Sequence, residues 1–294
     1  MTGQTALDTD VLAERPHLLG VAFRMLGTLA EAEDAVQETY IRWYRLTPSE
    51  RDVIEAPRAW LTRVAARVCL DVLGSARHRR ERYTGQWLPE PVPPDTFAAP
   101  TDPLQRVTVD DSVSTALLLV LESTTPAERV AFVLHDVFAV PFDEIAEAVG
   151  RTPAACRALA ASARRQIRAS RTRHVPRRQH DDVVRAFTTA CRTGDLPALI
   201  AVLDPAVQLR SDGGGVVTSA RNPVHGPDHV ARFLLGVLRR RPAAELVDRD
   251  DGLGFALRHR GRTVAVVTLH IAAGAVADVW MVVNPEKLTL WNRS

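Results

Sequence analysis

Apolar positions recur along this chain in more than one rhythm. Leu29, Ala32, Val36, Tyr40 and Trp43 are spaced by 3, 4, 4 and 3 residues, one apolar stripe of an amphipathic helix. Its opposite face carries Asp34, Glu38, Arg42 and Arg45. Pro57 stands where a second helix begins, and Trp60, Leu61, Val64, Val68 and Val72 form a second stripe, with Arg58, Arg63 and Arg67 on or beside the polar side. The spacing predicts a helical segment over about residues 7–83. Helical rhythm resumes over residues 111–170. There Asp143–Val149 reads as a short helix, Gly150 suits its left-handed end, Thr152 suits the next N-cap and Pro153 the first helical position. The helix that follows buries Cys156, Leu159, Ala160, Ala163 and Ile167 and presents Arg157, Ala158, Ala161, Arg164, Arg165 and Arg168.

Between the two helical stretches the rhythm stops. Residues 84–110 hold six prolines, and proline lacks a backbone donor and fixes φ, so an extended, stiff linker is expected. Trp87 and Leu88 stand inside Trp87-Leu88-Pro89-Glu90-Pro91, an apolar pair that predicts docking on another part of the chain. After residue 181 the character changes again. Val183, Val184, Phe187, Ala190 and Cys191 mark an amphipathic helix ending at Gly194-Asp195. Leu199, Ile200, Val202 and Leu203 indicate a short second helix, and a third runs from Asp228 to Arg241. Strand signals follow at 255–257, 263–271 and 276–283, punctuated by Gly252, Gly261 and Gly274. Helices followed by antiparallel strands predict a separate α+β domain of about 110 residues. The expected architecture is therefore multidomain, two all-α modules and a C-terminal α+β domain.

Composition narrows the class. With 294 residues, 46% hydrophobic and 24% charged, the chain is ordinary globular protein rather than fibrous or disordered. No apolar run approaches the ~18–20 residues of a membrane helix. The polar N-terminus lacks a secretory core, so a cytoplasmic location is expected. Cys69, Cys156 and Cys191 lie far apart in apolar patterns, which suits core residues better than disulfides or a zinc cluster. Lys287 is the only lysine, so 36 of the 37 basic residues are arginine, the side chain that binds phosphate and guanine edges in bidentate fashion.

Charge is more informative than the net value of +2. Residues 151–180 hold nine arginines and no acid, whereas residues 84–150 hold eleven acids and two arginines. A smaller basic cluster, Arg77-His78-Arg79-Arg80-Glu81-Arg82, ends the second helical stripe. Two basic patches separated by an acidic stretch point to a polyanion held at two places, with a pair of solvated helix ends as the plainer alternative. A helix, a three-residue turn and a helix with small and basic residues outward form a helix-turn-helix pattern. Small residues near the second helix's start would admit the backbone to a major groove, and the arginines beyond would reach phosphates or guanines.

These pieces together resemble the extracytoplasmic-function (ECF) RNA polymerase sigma factors. Ala32-Glu33-Asp34-Ala35-Val36-Gln37-Glu38-Thr39-Tyr40 resembles the family's region 2 helix that docks on the polymerase clamp. Pro57-Arg58-Ala59-Trp60-Leu61-Thr62-Arg63-Val64-Ala65, followed by Asp71, resembles its tryptophan-leucine helix facing the −10 element. Ala127-Glu128-Arg129-Val130-Ala131-Phe132 through Ala169 resembles region 4, the −35 reader. Trp87-Leu88-Pro89-Glu90-Pro91, Asp212-Gly213-Gly214-Gly215 and Asn284-Pro285-Glu286-Lys287-Leu288 look like three signature patches of the subgroup with a fused SnoaL-like domain, the SigJ type. The chain departs from that pattern at Val216, where lysine is usual, and at Glu286, where aspartate is usual; Arg67 replaces an asparagine frequent in the wider family.

The resemblance implies sigma region 2 over 1–84, the linker over 85–110, region 4 over 111–178 and a cone-shaped SnoaL-like regulatory domain over 179–294. It implies core RNA polymerase and promoter DNA as partners, no membrane, no catalytic residue, no cofactor and no metal. By the same carry-over, Asp34, Gln37 and Glu38 would meet the clamp. Arg63, Arg67, Arg77, Arg79 and Arg80 would approach the −10 DNA, and residues between Arg45 and Pro57 would form a loop capturing an unstacked base. Ala154, Arg157, Ala158, Ala161, Arg164 and Arg165 would face the −35 groove. Asp212, Gly213, Gly214, Gly215, Asn284, Pro285 and Lys287 would hold the linker at Trp87, Leu88 and Pro89, setting the spacing of the two DNA-binding modules without a separate anti-sigma protein. Two other classes stay open on sequence: a ligand-sensing helix-turn-helix regulator, and a SnoaL-like cyclase or isomerase drawing acid–base groups from Asp212, His225, His229, His270 and Asp278.

Overall fold

The computed structural model describes residues 11–80, 83, 85–93, 96, 115–170, 177–241, 243–249 and 253–292. The chain divides into two compact units, residues 1–81 with 97–170 and residues 82–96 with 171–294.

In the first unit, α1 (Arg15–Leu26) is buried along its whole second half and stops at Gly27, whose φ of 81° is open to glycine at little cost. A helix buried on all sides sits inside a bundle, and α1 packs against both α2 (Leu29–Arg45) and α4 (Pro57–Arg80). Thr28 caps α2 by accepting from the Glu31 amide, and the predicted stripe is the buried one: Leu29, Ala32, Val36 and Trp43 face inward. Trp43 meets Trp60 of α4 edge-on, ring centroids 5.3 Å apart. The stretch between Arg45 and Pro57, expected to be a loop, contains one helical turn, α3 (Pro48–Asp52). Its cause is a capping box, in which Thr47 accepts from the Glu50 amide while Glu50 reaches back to the Thr47 amide.

The same device opens α6. After α5 (Thr115–Glu122), Thr125 and Glu128 form a second capping box for α6 (Pro126–Phe132), which runs into a π-helical turn, Val133–Val137. The chain leaves that turn through Ala139 at φ 54° and enters α7 (Phe142–Val149). Gly150 at φ 69° ends α7, and Thr152 accepts from the Ala155 amide to start α8 (Pro153–Ser170), as the sequence predicts. Arg129, 4% exposed, ties this half of the unit to the other: its guanidinium donates to the Leu121 and Met25 carbonyls and pairs with Glu122 at 2.7 Å. Around α1, His17 meets Phe138 edge-on, and Arg24 lies over the same ring. The Arg58 guanidinium donates to His17 Nδ1, and the Thr62 hydroxyl, which donates to the Arg58 carbonyl, accepts a hydrogen bond from His17 Nε2. Burial first, then the nearby Arg58 and Arg24 charges, hold the His17 pKa down at about 4.

The second unit is α+β. Helices α9 (Arg177–Thr193) and α10 (Leu196–Ala201) precede β1 (Leu203–Asp212), β2 (Val224–His225) and α11 (Pro227–Arg239). Then come β3 (Ala244–Asp248), β4 (Gly254–His259), β5 (Arg262–Ala272) and β6 (Ala275–Val282), and two 3-10 turns, Pro285–Leu288 and Leu290–Asn292. The six strands form one sheet in the order β2-β1-β6-β5-β4-β3. The three strands read from the sequence, β4, β5 and β6, pair antiparallel as expected, whereas β1, which the sequence did not mark as a strand, runs parallel to β6. It also makes Leu203 the start of a strand rather than part of a helix. One sheet face packs against the helices through Val207, Leu209, Phe255, Leu269 and Val279, with Phe187, Leu234 and Leu235 filling the space between.

Candidate nucleic-acid interface and linker clamp

The exposed side of α8 follows from the turn before it. Gly150 reverses the chain, Pro153 fixes the first helical turn, and Cys156, Ala160, Ala163 and Ile167 face the core. Ala154, Arg157, Ala158, Arg165 and Arg168 are exposed, and Ala161 is half-buried between them. Arg157 lies over the Phe142 ring at 5.5 Å, which orients its guanidinium along the face. Arg164 differs from its neighbours: its Nε donates to Asp136 Oδ1 at 2.6 Å, so it is held by the π-helical turn. Two alanines flanked by arginines leave room for a duplex edge and supply phosphate or guanine donors beside it.

In the N-terminal half of this unit, Asp34 and Gln37 are exposed on α2, and Glu38 pairs with Arg42 one turn on. Arg67 is exposed on α4, while Arg63 is half-buried and pairs with Glu147 of α7 at 3.4 Å. Helix α4 runs through Arg77, Arg79 and Arg80, whose side chains lie outside the described residues.

The second unit brings the three signature patches to one carboxylate. Asp212 ends β1, fully buried, and receives four donors: Tyr83 Oη at 2.6 Å and the Gly214 amide at 3.0 Å on Oδ1, the Leu88 amide at 2.9 Å and Lys287 Nζ at 2.8 Å on Oδ2. A carboxylate has about four lone-pair sites, and all are used. Lys287 donates a second proton to the Leu88 carbonyl, and its ammonium stands 4.4 Å from the Trp87 ring centre and 5.2 Å from that of Tyr83. Asn284 accepts from the Glu286 amide to cap the turn that carries Lys287, and donates to Tyr83 Oη at 3.1 Å. The glycines have local reasons. A Cβ at Gly213 would overlap the Val217 carbonyl, and one at Gly214, whose φ is 65°, would come within 2.6 Å of Asn284. Leu88, Pro89, Glu90 and Pro91 are buried, whereas Gly215, Val216 and Pro285 are exposed.

Two members of the clamp were not among the expected residues. Tyr83 joins Asp212 to Asn284, and burial, then the Asp212 carboxylate, push its phenol pKa above the usual range, which keeps it a donor. Trp291 Nε1 donates to the Pro91 carbonyl at 2.7 Å. Single aromatics beside a motif carry no periodic signal; only the need of a buried indole or phenol for a partner marks them.

The acid–base candidates are dispersed. Asp212 is consumed by the clamp, and His225, in β2, and His229, on α11, are exposed. His270 Nδ1 and Asp278 Oδ2 lie 3.0 Å apart on β5 and β6, next to core residues Leu269 and Val279, so alternation turns them to the sheet face away from the helices. Among the described residues no group of three or more His, Cys, Asp or Glu is arranged to hold a metal, and no helix is long and apolar enough to cross a membrane. The three cysteines are buried and free, and burial pushes the Cys191 thiol up to about 12.

Known proteins share this chain's sequence and fold. Residues 11–80 match Sigma-70 region 2, and residues 114–167 match Sigma-70, region 4. The chain is 40% identical over 291 residues to the ECF RNA polymerase sigma factor SigJ of Mycobacterium tuberculosis (strain ATCC 25618 / H37Rv), covering 94% of this chain and 91% of that protein. It is 40% identical over 284 residues to a probable ECF RNA polymerase sigma factor, SigI, of Mycobacterium tuberculosis (strain CDC 1551 / Oshkosh), covering 94% and 92%. The crystal structure of the Mycobacterium tuberculosis SigJ protein superposes with a TM-score of 0.72 at 38% identity, covering 96% of this chain and 98% of that one.

Proposed function

Since this chain belongs to the ECF RNA polymerase sigma factors, we propose that it binds core RNA polymerase, directs initiation at its own class of promoters, and is tuned in cis by its C-terminal SnoaL-like domain. The open face of α8, Ala154, Arg157, Ala158 and Arg165 behind the Gly150 turn, carries this reading. Those positions present bidentate donors and groove-sized alanines together, which is what −35 recognition requires. Arg63, Arg67 and the basic end of α4 approach the −10 region, and exposed Asp34 and Gln37, with Glu38, meet the polymerase clamp. The chain acts in the cytoplasm, where core polymerase is, and works by placement rather than by chemistry.

In cis control rests on the Asp212 clamp. The linker that joins the two DNA-binding modules is fastened to the C-terminal domain through Leu88, Trp87 and Pro91. Fastening it restricts how far the modules separate, the work otherwise done by a separate anti-sigma protein.

Run-off transcription with bacterial core polymerase tests both halves. The template is the chain's own upstream region, and the full chain is compared with one ending after Arg178. The full chain is expected to initiate and the shortened chain to initiate at a different level, whose sign gives the domain's role. Equal transcription from both would remove in cis control. Absence of any binding to core polymerase would overturn the sigma reading itself.

A further inference from the structure

Six arginines gather at one end of the C-terminal sheet. Arg239 ends α11, Arg240 and Arg241 follow, and the Ala244 amide donates to the Arg241 carbonyl at 2.9 Å, so the chain turns at once into β3. There Ala244 pairs with His259 and Glu245 with Arg258 across β3 and β4. The β4–β5 hairpin then places Arg258 opposite Thr263 and His259 opposite Arg262, and turns through Arg260 and Gly261. With strands about 4.8 Å apart and residues about 3.3 Å apart, the six lie within about 20 Å, roughly half a turn of duplex DNA.

Five of the six are exposed and Arg241 is half-buried. Residues 239–245 and 258–263 contain a single acid, Glu245, which is exposed and forms no ion pair with Arg258. Among the described residues none of the six arginines is in an ion pair. Favourable interaction with a helix C-terminus accounts for Arg239 and Arg240. It does not account for the hairpin, where like charges on neighbouring strands repel. Nor does backbone preference, since Arg260 occupies φ 51°, where asparagine or glycine is easier to hold.

We propose that this arginine end of the C-terminal domain is a docking surface for the phosphate backbone of duplex DNA, independent of sequence and additional to α4 and α8. Arginine suits phosphate through its planar, bidentate donors. Among the described residues of this domain no Phe, Tyr or Trp side chain is exposed, so unpaired bases find no large stacking platform, which favours duplex over single strands. The choice of DNA as the polyanion rests on the sigma reading; the surface itself does not.

The test uses the full chain and a fluorescein-labelled duplex of mixed sequence, about 40 base pairs long, titrated by anisotropy between about 50 and 200 mM salt. The hairpin variant Arg258→Gln/Arg260→Asn/Arg262→Gln removes three charges, asparagine suiting the left-handed position. We expect its plot of log affinity against log salt to be shallower by about 2–3, with affinity at the lowest salt reduced at least about tenfold. Core polymerase binding should be unchanged. Wild-type slope and affinity in the variant would overturn the proposal, as would a loss confined to single-stranded RNA of the same length. If a thermal melt shows the hairpin variant to be unfolded, Arg239→Gln/Arg240→Gln provides the same readout, with a slope change of about 1–2, and an unchanged slope overturns the proposal. A wild-type chain that binds duplex through the hairpin but never binds core polymerase would sink the sigma reading and leave this surface standing.

Discussion

The ammonium of Lys287 sits 2.8 Å from the carboxylate of Asp212, with the lysine side chain 9% exposed and the aspartate fully buried. Each ion is costly to desolvate alone, and removal of one partner from such a pair destabilises by about 3–5 kcal/mol. Lys287→Met leaves Asp212 with three neutral donors for a full charge, and the C-terminal unit is expected to unfold at clearly lower urea. The double variant Asp212→Asn/Lys287→Met removes both charges and should recover part of the loss. A double variant no better than the single would mean that packing, not charge, holds the linker.

Tyr83→Phe deletes only the hydroxyl that donates to Asp212 at 2.6 Å. A hydrogen bond to a charged group contributes about 1.5–3 kcal/mol, so the effect should be smaller than that of Lys287→Met. Release of the segment around Leu88–Pro91 is the specific readout. Limited proteolysis should cut there faster in Tyr83→Phe, and faster again in Trp291→Phe, which loses the bond to the Pro91 carbonyl. Unchanged cleavage in both would detach these two aromatics from the clamp.

His17 gives the first unit a pH dependence with a definite sign. Its pKa is about 4 in the folded chain against 6.5 in the unfolded one. Between those values the unfolded chain binds more protons, so stability rises with pH through this window. The contribution is intact above pH 6.5 and lost as pH falls to about 4, a change of up to about 3 kcal/mol. Urea midpoints at about pH 7.5 and pH 5 should differ more for the wild type than for His17→Gln. Equal differences would show that His17 is protonated without penalty beside Arg58 and Arg24.

Much of this was legible in the sequence, and what was not has physical reasons. The stripe of α2, the Gly150-Thr152-Pro153 junction and the strands β4 to β6 are local patterns, and local patterns carry their own evidence. The parallel pairing of β1 with β6 joins residues some 70 positions apart, Leu209 with Val279, which periodicity cannot report. Helix α3 carries a local signal as well, since Thr47-Pro48-Ser49-Glu50 is the same capping pattern as Thr125-Pro126-Ala127-Glu128. At the clamp, resemblance located Asp212 and Lys287, whereas Tyr83 and Trp291 are marked only by their hydrogen bonds to Asp212, Asn284 and the Pro91 carbonyl.

Arg157 is expected to read a base rather than a phosphate. It is exposed near the start of α8 and braced by Phe142 at 5.5 Å, the position from which a groove edge is reached. Arg157→Ala should weaken binding by about 1–3 kcal/mol at one promoter position and relax discrimination there. Electrophoretic competition among promoters varied one base pair at a time checks it. A uniform loss across all sequences would reassign Arg157 to the backbone.

Arg164 and Arg165 are adjacent on α8 and alike in sequence, yet their surroundings assign them different work. Arg164 is half-buried and bound to Asp136 at 2.6 Å, joining α8 to the π-helical turn; Arg165 is exposed. Arg164→Ala should therefore lower the melting temperature of the first unit while largely sparing DNA affinity at low temperature. Arg165→Ala should do the reverse, leaving the melt unchanged and making the salt dependence of binding shallower by about 1. Parallel thermal melts and salt titrations of the two variants decide the matter. If both lose affinity equally with unchanged melts, Asp136 releases Arg164 when DNA arrives, and the pair is a resting arrangement rather than a structural brace.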